Sequence, residues 1–276
     1  MMKKQKIKFG LIAGVTVMFL IIWLLPYLYL ISSAFKTSAE VISIPVKFFP
    51  TALSTENFMA LFSRLPVLTY ISNSFICAVA STAVAVVLGS LSAYAIARSG
   101  AKLSTLLIVL ILCLKMIPTS SIAVPIYELI IGLGLYDTRF ALIIVYAAIN
   151  MPFVIWTMIS FYRNIPVTLD EAACIDGASS FQTFYKIILP ICAPGIATAA
   201  IFTVFLAWND FLLSLLLTSL NAKTFTVGLS EFLSAYSLDL GPMCAGAFLF
   251  SFPVMILAMM AQKYIVRGQT AGAVKG

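Results

Sequence analysis

Histidine is absent from the chain, and charged residues make up only 10% of it. The first absence removes the commonest general base, the commonest metal ligand and every Ser-His or Cys-His nucleophile arrangement. The second excludes a soluble globular domain, where charged residues reach about 25%. Cys77, Cys113, Cys174, Cys192 and Cys244 form no CxxC pair, and four of them fall in apolar stretches, so they read as small hydrophobes rather than a disulfide framework. No glycine is followed by lysine, so no GxxxxGK[ST] phosphate cradle exists and the chain cannot hydrolyse ATP alone. Catalytic residues, a metal site and a bound cofactor are therefore not expected. Internal repeats and low-complexity runs are also missing.

What the chain has is apolar length. Hydrophobic residues reach 62% and mean hydropathy is +1.08, which describes an integral protein of the lipid bilayer. At roughly 20 apolar residues per crossing, six spans fit. They are read at 9–35, 65–97, 103–131, 140–162, 183–220 and 240–262. Pro26 kinks the first, Lys115, Pro118 and Pro125 interrupt the third, and Pro190 and Pro194 bend the fifth. Residues 36–66 and 221–239 are polar interludes, and 132–139 is a turn. Lys3, Lys4, Lys6 and Lys8 precede the first apolar run, which is longer than the core of a cleavable signal and reads as a retained anchor.

Basic residues orient the spans. With the N-terminus inside, the inner segments hold Lys3, Lys4, Lys6, Lys8, Arg98, Lys102, Arg163, Lys186, Lys263, Arg267 and Lys275. The outer ones hold only Lys36, Lys47, Arg64, Arg139 and Lys223. That excess puts both termini in the cytoplasm. The net charge of +7 thus reflects topology and does not point to nucleic acid. The expected fold is an all-α membrane protein, a single transmembrane domain over 1–276. A cytoplasmic N-terminus occupies 1–8, an inner loop 163–182 and a cytoplasmic tail 263–276.

The inner loop carries the one well-formed helix signal outside the apolar segments. Thr168-Leu169-Asp170-Glu171 reads as a capping box, with the Thr168 hydroxyl accepting from the Glu171 N–H and the Glu171 carboxylate reaching back. Asp170 and Glu171 complement the positive end of the helix dipole. Gly177 supplies a left-handed stop. Ala172 and Ala173 leave one flank bare for another backbone to approach. The product is a short, stiff helix shaped to be gripped.

Glu171, Ala172, Ala173, Asp176, Gly177 and Ala178, followed by Phe184, Ile187, Leu189 and Pro190, resemble the EAA loop of ABC-importer permeases. Further matches, among them Asn73-Ser74, residues 93–98, Met116-Ile117-Pro118, Trp208-Asn209-Asp210-Phe211 and the tail 270–276, resemble the carbohydrate-uptake branch and its MalG-type permeases. The resemblance covers nearly the whole chain and implies the type I ABC-importer permease architecture, in the bacterial cytoplasmic membrane. It also implies partners: a MalF-type second permease, two ATPase subunits that hold ATP and Mg²⁺, and an extracytoplasmic sugar-binding protein. Glu171, Ala172, Ala173, Asp176, Gly177, Ala178, Leu189 and Pro190 are then the coupling residues. In many relatives the residue near Lys115 is uncharged, so the same role for an anionic sugar derivative or a glycerol phosphate-type substrate is the alternative reading. A stand-alone secondary transporter is a lesser one, disfavoured by the missing repeats.

Lys115 lies inside a span, where a charge costs about 3 kcal/mol and normally faces water or a partner. Asp210 is the best partner in the sequence, giving either a packing tie or a charged pathway. Trp208 and Asn209 pair stacking with hydrogen bonding, as sugar recognition requires, and equally suit an interface with the second permease. Tyr146, Asn150 and Trp156 on the fourth span complete the candidate pathway; lone polar residues in a bundle more often hold helices together.

Overall fold

The computed structural model describes residues 2–233 and 239–273, and most of the described residues are helical, with no strand among the elements. In chain order the helices are α1 (Met2–Ala34), α2 (Ser38–Val41), α3 (Glu56–Arg64), α4 (Val67–Arg98), α5 (Ala101–Met116), α6 (Thr119–Gly132), α7 (Arg139–Arg163) and α8 (Thr168–Ile175). After these come α9 (Ser180–Thr183), a π segment (Phe184–Ile188), α10 (Leu189–Ile191), α11 (Ala193–Trp208), α12 (Leu212–Leu217), α13 (Phe225–Ser230) and α14 (Leu240–Ala273).

Among the described residues, stretches of α1, α4, α7 and α14 are each long and apolar enough to cross a membrane. Two bent pairs bring the number to six. The bends have local causes. Ile117 precedes Pro118, whose ring disfavours the helical region for it, and Ile117 is extended at φ −69°, ψ 120°. α5 and α6 consequently meet at 88°. In the fifth span Pro190 cannot donate and its ring crowds the carbonyl four residues back. The preceding turn widens, and the Leu189 N–H bonds to the Phe184 carbonyl, five residues back. The 180–191 and 193–208 segments then lie 79° apart. The fifth span is therefore two helices with a π turn, and it stops at Trp208 instead of continuing to residue 220. α14 continues to Ala273, eleven residues past the 240–262 expected for the sixth span; residues 274–276 of the tail lie outside the described residues.

The chain forms two compact units. The first comprises residues 1–67 and 228–252. There the buried Asn57 donates to the carbonyls of Ser33, Ala34 and Lys36 at 3.2, 3.3 and 2.7 Å, satisfying the open end of α1. The Cβ that Gly241 lacks would lie 2.2 Å from the Asn57 Oδ1, so only glycine fits beside this cap. Phe248 packs edge to face on Phe35 and Phe58, whose own rings are tilted at 47° to each other. Lys36, expected in an open outer loop, is fully buried. Its ammonium donates to the Lys47 carbonyl and sits 4.3 Å from the Tyr29 ring centre.

The second unit comprises 68–227 and 253–276. α4 and α7 run parallel in it: Arg139, opening α7, donates to Asn73 near the start of α4, while Arg98, closing α4, donates to the Tyr162 carbonyl near the end of α7. Small residues let the helices close. A Cβ on Gly89 would come within 2.8 Å of Val154, and one on Gly195 within 2.6 Å of the Phe161 ring. Ala85, Ala93, Val154, Met158, Ile188 and Ala199 are buried in the core between α4, α7 and the broken fifth span.

At the α7 N-terminal end, Asp137 takes the left-handed conformation, φ 56°. Its carboxylate accepts from the backbone N–H groups of Ser219, Leu220, Asn221 and Ala222. Burial alone would raise its pKa, but these four donors outweigh burial and hold it at about 2. Asn73 donates to the carbonyls of Asn221 and Lys223, and Ser74 accepts from Phe225 N–H, so α4 is tied to the same loop.

Candidate coupling site

α8 stands at the opposite end of α7, between Arg163 and the π segment. Its start differs from the expected capping box. Pro166 fixes a tight turn, Leu169 N–H bonds to the Pro166 carbonyl, and Asp170 and Glu171 N–H both bond to Val167. The cap position is thus Val167, already helical at φ −63°, ψ −24°, with no side-chain cap. Thr168 sits inside the first turn, and the Glu171 carboxylate is left on the exposed surface. A capping box does exist, one helix later: the Ser179 side chain accepts from Gln182 N–H while the Gln182 side chain accepts from Ser179 N–H.

The stop is as expected. Gly177 has φ +80°. The Ala178 N–H reaches back to Ala173 (2.9 Å) and the Gly177 N–H to Cys174 (3.0 Å), the paired bonds of a Schellman motif. Nothing lies within 4 Å of a Cβ at Gly177, so inside this chain its requirement is conformational, not steric.

Of the two alanines, Ala172 is exposed and Ala173 is buried. The bare flank is Ala172 with the exposed Glu171, Asp176 and Ile175, the last 86% exposed. Val167 and Leu169 add exposed apolar surface. An eight-residue rod with this much outward apolar surface does not hold itself in place.

The side chain that anchors it is Asp170. One carboxylate oxygen pairs with Arg98 at 2.7 Å, with both side chains about 15% exposed, and the other accepts from the Tyr94 hydroxyl. Arg98 lies 5.8 Å over the Tyr94 ring. Tyr94 packs against Tyr162 on α7 and Phe184 at the head of the π segment, with ring centres 5.7 and 5.1 Å apart. One carboxylate therefore links α8 to α4, and one aromatic cluster links α4 to α7 and to the fifth span. Asp170, Arg98 and Tyr94 are residues of this candidate site that the sequence reading did not bring together. Asp170 was legible as a dipole complement and Arg98 as an inner basic residue, but no local pattern pairs positions 72 apart.

Leu189 and Pro190 lie where the π turn ends. With Tyr185, Lys186 and Ala193 they line an open cleft of about 600 Å³.

The pathway candidates do not gather at one place. Tyr146 donates to Asp210 at 3.0 Å, and the same carboxylate oxygen accepts from Leu213 and Ser214 N–H, starting α12. Asp210 is thereby committed to fixing the end of the fifth span, and the expected Lys115–Asp210 tie is not formed. Trp208 and Asn150 are buried, so Trp208 offers no free ring face. Asn209 is exposed and donates to the Phe205 carbonyl. Lys115 lies apart, in a cleft between α5 and α7 lined by Ile111, Leu112, Pro152, Phe153 and Trp156.

Known proteins match this geometry. A profile described as the binding-protein-dependent transport system inner membrane component matches residues 85–270. The sulfoquinovosyl glycerol transport system permease protein SmoH of Agrobacterium fabrum is 34% identical, over 92% of this chain and 89% of its own. The trehalose/maltose transport system permease protein MalG of Thermococcus litoralis is 33% identical over the full length of both. The trehalose transport system permease protein SugB of Mycobacterium tuberculosis is 36% identical over 92% of this chain and 93% of its own. Among solved structures, a chain of a bacterial ABC transporter involved in the import of the acidic polysaccharide alginate superposes with a TM-score of 0.77, over 94% of this chain and 97% of that one, at 21% identity. With six apolar crossings, a capped helix at the loop that follows the fourth, and these relatives, the chain belongs to the family of binding-protein-dependent transport system inner membrane components, the permeases of ABC importers.

Proposed function

We propose that this chain is one permease subunit of an ATP-driven importer that takes up a sugar or oligosaccharide handed over by an extracytoplasmic binding protein. Relatives named for trehalose, maltose and sulfoquinovosyl glycerol support the substrate class. A second, MalF-type permease and two ATPase subunits complete the assembly, and ATP and Mg²⁺ belong to the latter. Both termini and α8 face the cytoplasm, as the excess of inner basic residues supports.

The observation that carries the coupling role is the division of α8 into two faces. Asp170 and Ala173 face inward and are held, whereas Ala172, Ile175, Asp176 and Glu171 are outward and offered. The ATPase cleft grips the offered face. When two ATPase subunits close on ATP, α8 is displaced, and the Asp170–Arg98–Tyr94 link passes that displacement to α4, α7 and the fifth span together. Leu189 and Pro190 mark the turn where the fifth span can change direction. The permease supplies no chemistry; it converts a neighbour's closure into a change of access.

Cys174, exposed on α8, provides the test. An impermeant maleimide should label it only from the cytoplasmic side, and assembly with the ATPase should block that labelling. Ile175→Asp should abolish co-purification of the ATPase. Labelling from outside in intact cells, or full ATPase recovery with Ile175→Asp, overturns the reading.

A further inference from the structure

We infer that Lys115, with Trp156 and Phe153, forms a subsite that reads the negative charge of an acidic sugar, uronic or sulfonated, on its way through the membrane. The inference rests on the sugar-permease reading and narrows its substrate class.

Lys115 is the fifteenth residue of the sixteen in α5, about 21 Å along the helix from its start at 1.5 Å per residue, well inside a roughly 30 Å hydrocarbon core. It is exposed at the surface of this chain, and it makes no hydrogen bond or ion pair with any described residue. A lysine at that depth with no carboxylate partner among the described residues is costly unless it meets water or a charged ligand. The three arginines at helix ends in its unit each have a partner: Arg98 with Asp170, Arg139 with Asn73, Arg163 with Ser104.

The surroundings decide which anion suits it. The cleft holds about 190 Å³, and its wall is almost wholly apolar, formed by Ile111, Leu112, Pro152, Phe153, Trp156 and the stem of Lys115, the one charged side chain there. That volume corresponds to about six liquid waters, on the scale of one sugar ring. Trp156 is 51% exposed. The polarised C–H face of a pyranose complements the negative face of the indole, while the acid substituent reaches the ammonium. A simple inorganic anion would gain nothing from the apolar walls. A lipid headgroup belongs at the interface, not beside the last turn of α5. Directly after Lys115 the chain turns through 88°, which makes the site a corner that moves whenever α5 and α6 change their angle.

The test begins with the intact importer and its own binding protein, titrated with a panel of uronic and sulfonated sugars, each matched to a neutral counterpart. Preference for the acidic members is expected. Binding of neutral sugars alone overturns the inference and leaves the sugar-permease reading standing; binding of no sugar overturns both. With an acidic ligand in hand, Lys115→Gln should lower uptake at sub-saturating concentration about 10- to 100-fold, the range for loss of one hydrogen bond to a charged group, and Lys115→Arg should restore most of it. Equal uptake by Lys115→Gln overturns the inference. Should the variant fail to assemble, the wild-type complex decides. Acetylation of Lys115 by acetic anhydride, read by mass spectrometry, should be slowed by the acidic sugar and not by its neutral match. No slowing, or a lysine unreactive from the start because a partner carboxylate covers it, also overturns it.

Discussion

Removing the Asp170 carboxylate should release α8 from the membrane helices without unfolding them. Asp170 and Arg98 are 16% and 15% exposed, respectively, and 2.7 Å apart. Breaking a fully buried ion pair costs about 3–5 kcal/mol; partial access to water reduces this to about 2–3 kcal/mol here. The Tyr94 hydroxyl is left with a neutral amide oxygen in place of a carboxylate. An isolated helix of eight residues is far below the roughly 12–15 at which helices become even marginal in water, so α8 has little else to hold its pose. Asp170→Asn should therefore raise the opening equilibrium of residues 168–176 by roughly 30- to 160-fold. Amide hydrogen exchange on the nucleotide-free importer reads that directly, with the α4 and α7 cores as unaffected references. Arg98→Gln should act similarly, and the double variant should be no worse than either, giving a coupling energy of about 2–3 kcal/mol. Transport should suffer more than ATP hydrolysis, because closure of the ATPases would move a helix no longer tied to α4. Unchanged exchange in 168–176, or strictly additive effects of the two substitutions, would refute the link.

Gly177→Val should cost about 1–2 kcal/mol through backbone strain at φ +80°, and Gly177→Asn much less, since the surrounding space is open; uptake per assembled complex should rank Gly, Asn, Val. Gly195→Ala should lower the melting temperature of the complex, because a Cβ 2.6 Å from the Phe161 ring overpacks the α7–α11 contact by about 1–3 kcal/mol. The Asp137 carboxyl is held at about 2, below its unfolded value near 4. Its contribution, about 1 kcal/mol after allowance for exposure to water, should be complete above pH 4 and lost as pH falls through 2. Asp137→Asn should flatten that acid limb of a proteolysis profile of loop 217–223, and an unchanged limb would contradict the assignment.

What the sequence made legible was whatever is written in local composition. Apolar length gave the crossings, lysine and arginine placement gave their expected sense, and the Gly177 stop was readable because only a left-handed residue ends a helix that way. Proline was readable as a break but not as a geometry. Pro118 and Pro190 each mark a corner, yet the 88° and 79° turns depend on which neighbours receive the redirected helix. The capping box was misplaced because Pro166, two residues before Thr168, starts the helix early and takes the cap position away from the threonine.

The residues that sequence alone could not reveal share one property: their partners are distant in the chain. Asp137 serves residues 82–85 positions away, Asn73 ties to a loop about 150 positions on, and Asp170 reaches back 76 to Tyr94. Each of these polar side chains gathers an irregular segment onto a rigid helix, because loops at a helix end carry unpaired backbone groups or charges that must be met somewhere. The two ends of the second unit thus obey the same rule with opposite consequences. At the α7 N-terminal end many weak backbone bonds converge on one carboxylate, which makes a stiff joint. At the α8 end a single carboxylate bears the attachment, so a force applied to the helix is delivered to one point on α4 and spread from there by stacked rings. That asymmetry is what the proposed coupling role requires, since a lever needs one firm pivot and one well-defined place to be pushed.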